Sequence, residues 1–167
     1  MLQETHTDKL TENDWCKELE GKIYFSHGTS SSRGVALILP KQNNIPLQVN
    51  TVESDTDGRI ILINCIIGKR PVVMVNVYAP TKDKVLLQNS FLESLRNLVE
   101  KYSDKPMIIG GDFNICLNSM KDKKGGTLER DSTYKSNLLN FIEEYSLVDI
   151  WRLKNTDKQQ FTWISFP

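Results

Sequence analysis

No global charge points this chain toward a partner. Lys and Arg together number 21, as do Asp and Glu, so the formal net charge is zero. Nucleic-acid binding would therefore need a local basic patch, because no overall positive field exists to supply it. Cysteine is scarce. Cys16, Cys65 and Cys116 lie far apart, with no Cys-x-x-Cys or Cys/His spacing of the kind that holds zinc. The odd count favours a reducing, intracellular compartment over a disulfide scaffold, and Cys65, set in an apolar run, reads as a buried free thiol. Met1 to Asp14 lack the apolar core of a signal peptide. No apolar run approaches the roughly 20 residues that cross a bilayer, which argues against a membrane partner. Repeats, low-complexity tracts and linkers are also missing. What remains, 167 residues with 39% apolar and 25% charged side chains, suits one globular domain with its own core.

Strand signals dominate the first half. Lys22 to Ser26 is short and β-rich. Gly34 to Leu39 is a continuous apolar run ended by Pro40, as in a strand buried on both faces. Leu47 to Ser54, the turn Asp55-Thr56-Asp57-Gly58, and Ile60 to Ile67 read as a hairpin. Gly68-Lys69 then turns the chain into Val72 to Tyr78, which completes an antiparallel meander. The period changes afterwards. Leu87, Phe91, Leu95, Leu98 and Tyr102 fall on one helical face, with Thr81 as N-cap. Met107 to Ile109 is a further strand, and a second helix spans about Thr133 to Tyr145, with Leu138, Phe141, Ile142 and Tyr145 facing inward. Leu147 to Trp151 and Gln160 to Trp163 read as short terminal strands. The order predicts an α/β sandwich.

The strongest chemical signal is Gly110-Gly111-Asp112-Phe113-Asn114. Glycines after a strand let the backbone turn sharply, and the carboxyl ends of strands are where α/β sheets place their sites. Asp112 can hold or deprotonate a water, while the Asn114 amide can donate to a phosphoryl oxygen. The same two residues are also good turn caps, and the pentapeptide alone leaves both readings open.

Several segments, in order, resemble the endonuclease/exonuclease/phosphatase superfamily: Gln3-Glu4-Thr5-His6, Asn76-Val77-Tyr78-Ala79-Pro80, Gly110 to Asn114, and Phe161-Thr162-Trp163. Ser32-Arg33-Gly34-Val35-Ala36 and Leu147-Val148-Asp149-Ile150-Trp151 narrow the likeness to the endonucleases of LINE-type (non-LTR) retrotransposons. The resemblance covers nearly the whole chain. It implies a four-layer α/β sandwich of two mixed sheets flanked by helices, and Mg²⁺- or Mn²⁺-dependent hydrolysis of DNA phosphodiesters. Glu4 is then the metal ligand, Asp112 handles the water, and Asn114 and Tyr78 bind the phosphate. Thr162 is expected at the DNA-facing rim, and Lys123 and Lys124 near phosphates in a small basic loop. Asp149 is expected in a buried structural hydrogen bond. His6 and His27 match no catalytic motif.

The resemblance further implies fusion to a downstream reverse transcriptase, with the nucleus as the site of action. Against the family pattern, residues 1–167 read as one domain that lacks the opening Asn-bearing strand and the closing Ser-Asp-His segment. A lost central strand would forfeit roughly 5–12 kcal/mol of apolar burial, against a total stability of about 5–15 kcal/mol. The expected activity of this chain is accordingly weak or absent. A remnant that only binds DNA, or another phosphodiesterase or phosphatase of the superfamily, are the alternatives.

Overall fold

The computed structural model describes residues 1–41, 45–81, 84–124, 132–161 and 163–164, with backbone alone at 85, 163 and 164. In chain order the elements are β1 (Leu2–Gln3), α1 (Glu12–Glu18), β2 (Lys22–Ser26), β3 (Val35–Leu39), β4 (Leu47–Ser54), β5 (Ile60–Ile67) and β6 (Arg70–Tyr78). There follow α2 (Val85–Val99) with a 3-10 turn at Glu100–Tyr102, β7 (Met107–Asp112), α3 (Ser119–Asp122), β8 (Lys123–Lys124), α4 (Thr133–Glu144), α5 (Ile150–Lys154) and β9 (Trp163–Ile164).

Among the described residues the strands form an antiparallel sheet in the order β1-β3-β2, a mixed sheet in the order β4-β5-β6-β7, and the short pair β8-β9. The expected meander is β4-β5-β6. A bulge between Val49 and Thr51 breaks the alternation read along β4. β7 then joins β6 in parallel, with Tyr78 opposite Asp112. Parallel pairing needs a crossover, and α2 provides it.

Two apolar layers hold these sheets. Val35, Leu37 and Leu39 of β3 pack on Ile61, Ile63 and Cys65 of β5, so the two sheets meet face to face. The opposite face, with Ile60, Leu62, Val73, Val75 and Val77, packs on Phe91, Leu92, Leu95 and Val99 of α2 and on Leu138 and Phe141 of α4. β5 is thus covered on both faces, which explains why its residues are apolar but for Asn64. Cys65 is buried as expected, its thiol donating to the Val72 carbonyl at 3.6 Å.

Several expectations are corrected. Helix α2 starts at Val85 with Lys84 at its N-cap, not Thr81. Leu87 faces outward at 50% exposure, and Gln88 occupies the buried position, donating to the Pro80 carbonyl at 3.1 Å. Leu147 to Trp151, expected as a short strand, does not form one. Asp149 accepts a hydrogen bond from the Arg152 amide at 2.9 Å and starts α5, because a capped helix end outweighs a short strand with no partner. Asp149 is exposed, so its hydrogen bond is structural but not buried. Of the described residues in Gln160 to Trp163, Trp163 alone lies in a strand, pairing with Lys123. Helix α1 was not expected. It buries no residue and so shows no apolar stripe in sequence, and Trp15 meets Phe25 edge-on at 6.0 Å.

Candidate active site

The parallel pair β6-β7 sets Tyr78 and Asp112 side by side at the ends of adjacent strands. Gly111 makes this approach possible. Its φ is +134°, and a Cβ built there would lie 2.0 Å from the Val77 carbonyl oxygen. Only glycine tolerates both conditions. Beyond it the chain folds on itself. The Asn114 amide nitrogen donates to Asp112 Oδ1 at 2.8 Å, and Asn114 Nδ2 donates to the Ala79 carbonyl at 2.7 Å. The Ala79 amide donates in turn to the Asp112 carbonyl at 2.8 Å. Asn114 sits at φ +50°, a conformation that asparagine reaches more readily than most residues. The turn-capping and functional readings of Asp112 are therefore compatible. One carboxylate oxygen fixes the turn, and the exposed group retains further acceptor capacity.

Glu4 arrives from the other sheet. The Tyr78 hydroxyl donates to the Glu4 carboxylate. Glu4 and His6 adopt φ values of +52° and +50°, costly conformations that persist only where surrounding bonds enforce them. The bonds here are the Thr5 amide to the Gly34 carbonyl at 3.1 Å and the His6 amide to the Arg33 carbonyl at 2.9 Å. Gly34 leaves room for this passage, since a Cβ there would meet Thr5 Oγ1 at 2.4 Å.

Asn76 was not singled out in the sequence beyond its place in a motif. It is fully buried, and it ties the two sheets together behind the site. Its Nδ2 donates to the Leu2 carbonyl at 2.7 Å and the Ala36 carbonyl at 2.9 Å, while its Oδ1 accepts from Gln3 Nε2 at 2.6 Å. An amide inside a run of valines is the sequence signal for such a crosslink, because a buried polar group must find partners. Tyr134, on α4, was also missed. It is buried beneath the Asp112–Asn114 turn and donates to the Phe113 carbonyl at 3.1 Å.

Burial, then the hydrogen bond and charge of Glu4 and the charge of Asp112, push the Tyr78 hydroxyl up to about 12, against the pull of Arg59. Tyr78 therefore stays a proton donor in any neutral solution. Burial chiefly, and Asp112 secondarily, also raise the Tyr134 hydroxyl. Both shifts place the Asp112 charge close to two phenols.

Glu4 and Tyr78 line a cleft of about 460 Å³, whose other walls include His6, Arg33, Arg59 and Lys84. Asp112 and Asn114 adjoin this cleft through Tyr78 and Ala79 and do not line it. Lys123 and Lys124 do not line it either; they form β8, paired with β9. Thr162 lies outside the described residues. Among the described residues no group of three or more His, Cys, Asp or Glu side chains gathers around one point. The donor set still fits a hard divalent cation. Such an ion takes one or two carboxylates and completes its shell with water and phosphate, and Glu4 is an exposed carboxylate at the cleft with Asp112 acting on the same tyrosine.

Two facing sheets flanked by helices, with the crossover helix α2 on the outer face of the mixed sheet, make an α/β sandwich. In sequence the chain is similar to a transposon protein. A transposon TX1 uncharacterized 149 kDa protein from Xenopus laevis is 35% identical over 164 residues, which is 98% of this chain and 12% of that protein. The chain thus matches a small part of a much longer relative. An AP endonuclease from Archaeoglobus fulgidus has the same fold at 17% identity and a TM-score of 0.65, over 98% of this chain and 66% of that one. A truncated Caenorhabditis elegans TDP2 aligns at 19% identity and a TM-score of 0.47, over 69% of this chain and 48% of its own. No family model matches the chain.

Proposed function

We propose that this chain carries the phosphodiester-hydrolysing site of a transposon endonuclease, one that nicks DNA with Mg²⁺ or Mn²⁺ as cofactor. The observation that carries this reading is the meeting of Glu4 from one sheet with Tyr78 of the other, beside Asp112. In this reading Glu4 holds the cation, which when bound offsets negative charge on the phosphoryl oxygens. Asp112 accepts a proton from the attacking water. Tyr78, protonated throughout the neutral range, donates to a phosphoryl oxygen once its hydroxyl turns from Glu4. Asn114 gives one N–H to Ala79 and keeps a second for the phosphate. The sequence relation to a transposon protein supports DNA as substrate. The 12% coverage of that protein supports a parent chain with further domains, and the family resemblance makes a downstream reverse transcriptase one of them. No described helix is long and apolar enough to cross a membrane, and we place the parent's action in the nucleus.

The test is relaxation of supercoiled plasmid in Mg²⁺, with and without chelator. Inositol phosphates serve as the competing substrate class. Nicking that needs the cation and vanishes in Asp112→Ala is the expected result. Equal nicking by Asp112→Ala, or turnover of inositol phosphates in place of DNA, would overturn the assignment. DNA binding without cation-dependent cleavage would reduce the chain to a binding remnant.

A further inference from the structure

The cleft that holds Glu4 and Tyr78 carries more positive charge than a single phosphate group calls for. Among the described residues, Arg33, Arg59 and Lys84 line it against one carboxylate, Glu4, in a protein whose formal net charge is zero. Positive charge is therefore concentrated here.

Arg59 is built into the site. It opens the turn into β5, where its amide and that of Ile60 both donate to Asp55 Oδ1 at 2.9 Å. Its side chain donates to the Tyr78 carbonyl at 3.1 Å, and the guanidinium carbon stands 5.4 Å from the Tyr78 ring centre. The Tyr78 amide donates back to the Arg59 carbonyl at 2.8 Å. Arg33 reaches the same cleft from the loop before β3, at φ +65°, with its carbonyl fixed by His6. Its carboxylate neighbour is Asp57, 3.7 Å away with a side chain 68% exposed, a loose pair of little worth. Burial and then the positive charge of Arg33 hold the Arg59 guanidinium below its ordinary value, more than Tyr78, Asp57 and Asp55 raise it. Two guanidiniums kept close enough to repel each other cost stability. An arrangement of that kind in a cleft marks a binding site for an anion, and the planar forks of arginine suit phosphate.

We infer that Arg33 and Arg59 form a second phosphate subsite, which grips a phosphate neighbouring the one held at Glu4 and Tyr78, so that the cleft takes a polynucleotide strand. This inference rests on the phosphodiesterase reading and narrows its substrate class. One phosphate lies at the reacting centre and the next along the strand lies on the arginine pair. The Ser31 and Ser32 hydroxyls at the cleft edge supply further donors.

The experiment compares a short DNA oligonucleotide with bis(p-nitrophenyl) phosphate, a diester with a single phosphate. Oligonucleotide affinity is read by fluorescence anisotropy across a salt series, and turnover of the small diester by absorbance. Arg33→Ala is expected to weaken oligonucleotide binding about tenfold or more. It should also reduce the slope of log affinity against log salt by about 0.7–0.9, with turnover of the small diester unchanged. Asp57→Asn, on an exposed turn, is expected to tighten binding slightly, because it removes a negative charge near the approaching phosphate. Arg59→Lys keeps the charge and loses the fork, and should weaken the oligonucleotide more than the small diester, whose turnover also falls because Arg59 braces Tyr78.

Unchanged affinity and salt slope in Arg33→Ala would overturn the inference. So would an equal loss on both substrates, which would assign the pair to the reacting phosphate. Competition by inositol hexakisphosphate at equal phosphate concentration, as effective as unlabelled DNA, would also overturn it in favour of a small polyphosphate. If neither substrate were turned over while the Arg33 and Asp57 variants shifted binding in opposite directions, the hydrolase reading would fall and the polynucleotide subsite would stand.

Discussion

The two halves of the site are held by different physics. The Asp112 half ends a strand whose neighbours, Val73, Val75 and Val77, are fully buried, and apolar packing fixes it. The Glu4 half follows a two-residue strand, passes through two left-handed residues and hangs on one buried amide, Asn76. Both halves meet at Tyr78. Rigidity at one side can come from the core, but the other depends on a few polar bonds that leave little margin. Disturbing each side separately should therefore give distinguishable effects.

The largest effect is expected at the chemistry. Asp112→Ala should lower nicking by about 10²–10⁴-fold, the usual worth of a positioned acid or base, while thermal unfolding shifts little because the side chain is exposed. A matching loss of stability would show that Asp112 serves chiefly the turn.

The next effect tests the packed side. Gly111→Ala would force a Cβ to within 2.0 Å of the Val77 carbonyl oxygen at φ +134°, and it should destabilise by more than the roughly 1–3 kcal/mol of a strained φ alone. Gly68→Ala is the control. Its φ is +66°, but among the described residues a Cβ there meets only Ile45 Cγ2 at 3.9 Å, so about 1–2 kcal/mol is expected. Equal costs in urea unfolding would mean that the Gly111 contact with β6 relaxes freely.

Asn76→Ala strips the hung side of its crosslink. The lost partners of the Leu2 and Ala36 carbonyls should cost about 1–3 kcal/mol. Hydrogen exchange should rise at residues 2–6 and remain as before at residues 107–112. Uniform loss of protection would contradict the division into two halves.

This division also sorts what was legible in the sequence. Gly110 to Asn114 stood out by residue type as a turn after an apolar strand, but its functional reading needed the family resemblance, because Asp and Asn cap turns as readily. The meander from Leu47 to Tyr78 was equally plain, since its turns carry Asp and Gly and its strands carry Val and Ile. Glu4 was visible only through family resemblance. An exposed acidic residue in a polar stretch has no periodicity of its own, and the bonds that place it come from Gly34 and Asn76, far along the chain. Arg33 and Arg59 were hidden for the same reason: only the folded sheets bring them to one cleft. The stretch from Leu147 to Trp151 misled because a short, mostly apolar run suits a strand and a short capped helix with exposed apolar residues equally. The expected role of Thr162 falls on a residue outside those described.

The smallest expected effect is at Tyr134, which supports the packed half from below. Tyr134→Phe keeps the ring in the core and removes one hydrogen bond to the Phe113 carbonyl, a loss of about 0.5–1.5 kcal/mol. Nicking should fall modestly, and the loss should be confined to the Asp112 side. A loss of activity as large as that of Asp112→Ala would mean that Tyr134 acts on the substrate directly.

The account's central claim is that Glu4 and Asp112, one from each half, serve a single cation–phosphate centre. Paramagnetic broadening by Mn²⁺ tests this most directly, without any need for turnover. Amide resonances of residues 3–6, 78–79 and 112–114 should broaden together at substoichiometric Mn²⁺, and Glu4→Gln should abolish the broadening in all three segments at once. Broadening confined to one segment, or centred elsewhere and indifferent to Glu4→Gln, would contradict the claim.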